Sequence, residues 1–97
     1  MKEAFLLNNY IRLDKQFHLI GRVLSDIGIE HILLYKEGNT ERRYIIKRII
    51  AYKHNLDIIS AGMTCELIVE GDLCDFVEDS ILYKLNLNYS RLCHESG

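Results

Sequence analysis

Proline is absent from this chain, so its breaks fall to Gly, Asn and Asp. No internal repeat or low-complexity segment occurs. No run of 18 apolar residues occurs, which excludes a helix that spans a membrane. No apolar stretch follows a basic start in the manner of a signal peptide, so the expected location is cytoplasmic. Cys65, Cys74 and Cys93 form no Cys-x-x-Cys pair and show no short-range zinc spacing, even with Cys93 beside His94. Neither a metal nor another cofactor is expected. Gly-x-x-x-x-Gly-Lys and Gly-x-Gly-x-x-Gly are both missing, which argues against nucleotide hydrolysis. An excess of positive charge is lacking too: 12 Lys and Arg face 14 Asp and Glu, a formal net charge of −2. A domain that grips nucleic acid by overall charge is strongly basic, so any such contact here must be local.

What is present is ordinary globular material. The 97 residues predict one domain. A chain of that length buries roughly two-thirds of its unfolded surface. Hydrophobic residues make up 48% and charged residues 27%, which excludes disorder by composition. The odd count of three cysteines, without a secretory signal, predicts free thiols in a reducing compartment.

Lys36-Glu37-Gly38-Asn39-Thr40 is the clearest break, and it predicts a hairpin turn between apolar runs at 29–35 and 43–52. Lys53-His54-Asn55 closes the second run. Ser60-Ala61-Gly62 precedes a third, 64–69, which Gly71-Asp72 ends. A last run covers 80–85, and the polar stretch 86–97 reads as a C-terminal tail. Leu6, Tyr10, Leu13, Phe17, Ile20, Leu24 and Ile27 fall at alternating spacings of four and three, the spacing of a helix. Ile45, Ile46, Ile49 and Ile50 also suit one helical face. Against this stand the Ile- and Tyr-rich centre, which favours strands, and Gly21 and Gly28, each costing a helix about 1 kcal/mol against alanine. The pattern alone leaves all-β and α+β open.

The chemistry-bearing residues do not assemble into a catalytic motif. Cys65 or Cys74 with His54 or His31 would be needed for a nucleophilic site, and no local motif supports one. Cys65 alternates with Thr64 and Glu66 inside an apolar run and reads as a small core residue. The acids at Glu70, Asp72, Asp75, Glu78 and Asp79 lie in a turn-rich segment, where acids solvate turns. The expectation is a protein without a catalytic site and without a small-molecule substrate. The cations between Glu41 and Lys53 read as a solvated strand face or a local patch.

Ile46 to Glu70, continued by Asp75-Phe76-Val77-Glu78-Asp79-Ser80-Ile81-Leu82, resembles the second β-barrel of the translation GTPases. It is most similar to the C-terminal barrel of bacterial translation initiation factor two. In that family an alternating strand ends in an aromatic and a lysine. An apolar–x–x–apolar step follows, then a glycine before the next strand, a cysteine within it, and a closing Asp-x-apolar pair. Ile46, Ile49, Tyr52, Lys53, Leu56, Ile59, Gly62, Cys65, Val77, Asp79 and Ile81 occupy those places here. Phe17 to Val23, with Gly21-Arg22-Val23, is similar to the opening strand of elongation factor barrels, and Glu3 to Leu7 to the segment leading into it.

The resemblance implies an all-β fold, a small closed barrel of six strands over residues 1–85. It also implies an RNA-binding patch at Tyr52, Lys53 and Cys65. The partner would be a tRNA acceptor end, the ribosome, or a translation GTPase supplied in trans. Ile50 and Ala51 stand where the family often has cations, and Thr64 and Glu66 where it has Glu and Gly. Lost cations remove phosphate contacts, so a protein–protein adaptor or inhibitor on the same fold is the alternative. Gly62 is expected to take a positive φ before its strand.

Overall fold

Strands of alternating apolar and polar residues need a second surface to cover their apolar face, and this chain obtains one by closing a sheet on itself. The computed structural model describes residues 2–85; the predicted tail at 86–97, with Cys93 and His94, lies outside the described residues. Nine strands and no helix occur among them. In chain order they are β1 (Lys2–Leu13), β2 (Gln16–Val23), β3 (Ile27–Gly28), β4 (Ile32–Glu37), β5 (Thr40–Ala51), β6 (His54–Leu56), β7 (Ile58–Ile59), β8 (Thr64–Gly71) and β9 (Ile81–Lys84).

The pairing forms a ring. β1 pairs with β2, β2 with β8, β8 with β5, β5 with β4, β4 with β9 and β9 with β1, all antiparallel. The result is the closed six-stranded barrel that the sequence led us to expect. β6 hangs on the far half of β5, and β3 and β7 form a separate two-stranded ribbon.

The interior follows from the two-residue period of a strand. On β2, Phe17, Leu19 and Val23 are buried while His18 and Ile20 face outward; on β8, Cys65, Leu67 and Val69 turn inward. The helical spacing at Leu6–Ile27 belongs to strands, the all-β alternative. That stretch is β1 and β2, joined at Asp14-Lys15, with the start of β3 beyond them. Register shifts between Glu3 and Phe5 and between Leu7 and Asn9 break the simple alternation of β1. Ala4, Phe5 and Leu7 are therefore all buried. A third shift, between Ile46 and Arg48, sets Ile46 and Ile49 both inward on β5 and explains their three-residue spacing.

Gly21 makes one close crossing possible. A Cβ built there would lie 2.0 Å from the Leu6 carbonyl oxygen and 3.0 Å from the Phe5 ring. Only a residue without a side chain lets β1 lie that close to β2. Gly62 has φ +94° and precedes β8, as expected, with its N–H donating to the Val23 carbonyl at 2.7 Å.

Each end of the barrel carries its own cover. Where β2 and β5 finish and β8 begins, the β3–β7 ribbon contributes buried Ile27 and Ile59. At the other end, residues 72–80 cross the opening and insert Phe76. Its ring lies 5.2 Å from that of Tyr10, 5.1 Å from Phe17, 4.9 Å from Tyr35 and 5.2 Å from Tyr44. The Val77 N–H donates to the Tyr35 hydroxyl at 3.1 Å and the Asp79 N–H to the Leu7 carbonyl at 2.7 Å, so the crossing is tied to both walls.

Replacing Gly21 by alanine forces backbone against backbone. Gly21→Ala is expected to lower the unfolding free energy by about 2 kcal/mol or more, measured by urea denaturation. An unchanged midpoint would show that the Leu6 crossing is not as tight as described.

Candidate binding surface at the rim

Ala51 pairs with His54 across β5 and β6, which leaves Tyr52 and Lys53 as a two-residue hairpin loop. Their φ angles are +53° and +65°. Two central residues at positive φ define the type I′ turn, whose twist matches the flanking strands and whose usual occupants are Asn-Gly. A tyrosine and a lysine held there cost on the order of 1 kcal/mol or more each. Tyr52 is 78% exposed, so no burial of its ring offsets that cost. The expected site residues Tyr52 and Lys53 thus sit together on a strained, projecting tip at the rim of the barrel.

Cys65 lies apart from them. It is 5% exposed, on the inner face of β8 opposite Gly21. Burial, with a smaller contribution from Glu66, pushes its thiol up to about 11. It is a neutral core thiol at physiological pH, not a nucleophile. The core reading of Cys65 describes its position, and its side chain offers nothing to a ligand at the rim.

The surroundings of the tip are partly basic. Arg48 donates from Nη2 to the Asn55 side-chain oxygen at 2.9 Å, beside β6. Lys53 and His54 are exposed. Elsewhere in the cation cluster, Arg42 pairs with Glu37 at 3.1 Å and Lys47 with Glu30 at 3.8 Å. Ala51 is buried, so the position just before the tip presents no charge. Glu66 faces outward on β8, where its carboxylate holds the His18 ring at Nδ1. Gln16 makes a similar cross-strand contact with Glu70 at 2.7 Å.

Cys74 places its sulfur 2.9 Å from the Tyr44 hydroxyl. Both groups are held protonated. Burial raises the tyrosine above its ordinary value, helped by Cys74, and burial raises the thiol. No group of three or more His, Cys, Asp or Glu with metal-binding geometry occurs among the described residues.

One polar element had no signal in the sequence. The Gly28 N–H donates to His31 Nδ1 at 3.1 Å, and the His31 N–H donates to the Gly28 carbonyl at 3.2 Å. The ring nitrogen must be unprotonated to accept. Burial, with the charge of Lys84 second, holds the His31 pKa below its ordinary 6.5. Spacing and composition do not reveal such a turn, because the acceptor is a ring nitrogen facing a backbone N–H three residues earlier.

No family model matches the chain, and no curated protein sequence matches it. Six chains among the solved structures do. One is the C-terminal domain of a Geobacillus thermoleovorans protein assigned as a U32 peptidase. It superposes with a TM-score of 0.63 at 10% identity, over 88% of this chain and 93% of that one. At that identity the likeness is one of fold alone.

Two outcomes follow from these geometries. The double substitution Tyr52→Asn with Lys53→Gly relieves the turn and is expected to stabilise the fold by about 1 kcal/mol, seen as a higher urea midpoint with unchanged slope. No gain would mean that the turn carries no strain. His31 has a depressed folded pKa, so its contribution is complete above pH 6.5 and is lost as pH falls through the folded value. Stability measured downward from pH 7 should decline below about pH 6.5, and His31→Asn should flatten that decline.

Proposed function

We propose that this chain is a non-catalytic, cytoplasmic barrel of the translation-factor type. Its rim turn contacts RNA, either a tRNA acceptor end or the ribosome, or meets a translation GTPase supplied in trans. The observation that carries this reading is the Tyr52–Lys53 tip: two ill-suited residues at positive φ, with an aromatic ring left in solvent. Strain kept where a glycine would remove it points to a side chain wanted for contact. An exposed ring offers a stacking face to an unpaired base, worth about 1–3 kcal/mol per base. Lys53 offers a point charge to the adjoining phosphate. Cys65 and Cys74, whose pKa values both move away from the thiolate, are poorly suited to act as nucleophiles.

A second reading is the protein–protein adaptor or inhibitor. Buried Ala51 favours it, because the wall below the tip lacks the cations that the family often carries there. Ile58, 64% exposed on the neighbouring ribbon, adds apolar surface suited to a protein.

Titration with an aminoacylated acceptor-stem RNA separates the two. Binding should weaken with salt, Tyr52→Ala should reduce affinity about tenfold or more, and Lys53→Ala should lower the salt slope by about one. No RNA binding at low salt, with RNase-resistant capture of a protein through the same tip, would replace the first reading with the second.

A further inference from the structure

β1 is twelve residues long, but β9 accompanies only its first part, through the pairs from Lys2–Lys84 to Leu6–Ile81. The next position is also taken: the Leu7 N–H donates to the Ser80 carbonyl at 2.9 Å, and the Leu7 carbonyl accepts from the Asp79 N–H at 2.7 Å. From Asn8 to Leu13 the strand pairs with β2 alone. This edge has no strand partner and is not blunted by proline or by shortness; a register shift lies at its start, and a second strand would have to displace the Asn9 side chain from the Tyr10 N–H. Its outer face carries Ile11 and Leu13, each 49% exposed.

We propose that this edge pairs with the same edge of a second copy of the chain, in an antiparallel, two-fold symmetric dimer. The register follows from the strand itself. The Tyr10 N–H is held by the Asn9 side chain at 2.8 Å, so it faces away from β2. Strand alternation turns the main chain of Arg12 the same way. An antiparallel pair joins edge-facing residues to edge-facing residues. Centring the two-fold axis on Ile11 sets Tyr10 against the second copy's Arg12 and Asn9 against its Leu13. A centre at Tyr10 would drive Leu13 onto Leu7, where Ser80 already sits. A centre at Arg12 would leave Asn8 and Asn9 unpaired. Only a centre at Ile11 pairs every residue from Asn9 to Leu13 within that stretch of the strand.

Charge agrees with that register. It brings Lys15 of one copy level with Leu7 of the other, the residue bonded to Asp79. Residues 72–80 hold Asp72, Asp75, Glu78 and Asp79 and no cation. Arg12 and Lys15 take part in no ion pair among the described residues. Within one copy Arg12 and Lys15 already line a hollow with Asp14 and Glu70; the dimer would bring Lys15 beside the acidic segment of the other copy as well, and cover Ile11 and Leu13. A two-fold interface of this kind closes at two copies and does not propagate.

Sedimentation velocity on the full chain over a concentration series tests this. The expected species has twice the monomer mass. Ile11→Lys should return it to monomer, and Lys15→Glu, an exposed site that leaves the fold intact, should raise the dimer dissociation constant about tenfold or more at low salt. The Arg12 amide should gain exchange protection as concentration rises. A monomer at every concentration would overturn the proposal. So would a dimer insensitive to both substitutions, or an assembly that grows beyond two.

Discussion

Phe76 stands among four rings, those of Tyr10, Phe17, Tyr35 and Tyr44, each within 5.3 Å of it by ring centroids. The rest of the barrel depends on that cluster. A sheet of six strands closes only if its last strand reaches its first, and here the last strand, β9, has four residues. It joins β1 to β4 over their upper parts and leaves the walls apart below. Residues 72–80 fill the gap with a ring rather than with a strand. Aromatic edges on faces contribute beyond the area they bury, about 0.5–1.5 kcal/mol per pair, so one side chain binds four strands at once. The same economy leaves the lower half of β1 paired with β2 alone, which is why an unpaired edge exists on a closed barrel.

The two ends differ in kind. The Phe76 end is packed, and the segment that crosses it carries Asp72, Asp75, Glu78 and Asp79. The opposite end is covered by a short ribbon and carries the strained turn. A turn at unfavourable φ persists only when the surrounding structure over-determines it. β5 does this, since its far half is paired on one side with β8 and on the other with β6. The cost at Tyr52 and Lys53 is offset by the stability of the barrel below.

Some of this was open to reading in the sequence. β8 is legible as an apolar run from Thr64 to Val69 in which Cys65 alternates with Thr64 and Glu66, and Gly62 through its place before that run. Gly38-Asn39 marked the β4–β5 hairpin, and Gly38 does have a positive φ, +62°. β1 and β2 were harder. Two register shifts bring Ala4, Phe5 and Leu7 inward together, and the turn at Asp14-Lys15 contains no glycine, so only Gly21, well inside β2, speaks against a helical spacing there. Phe76 was hidden for the opposite reason: it lies among Asp75, Glu78 and Asp79, where composition says solvent. The sequence marks Tyr52 and Lys53 as a pair at the end of a strand, and they form a turn. Residue type gave no hint of positive φ, because neither residue favours it.

The proposed RNA contact falls at the rim, at the opposite end of the barrel from Phe76. Chemical-shift mapping of the labelled full chain during addition of an aminoacylated acceptor-stem RNA examines that placement directly. The largest shifts are expected at Tyr52, Lys53, His54 and Asn55, with residues 72–80 unmoved. Shifts centred on residues 72–80, with the Tyr52–Lys53 turn silent, would contradict it.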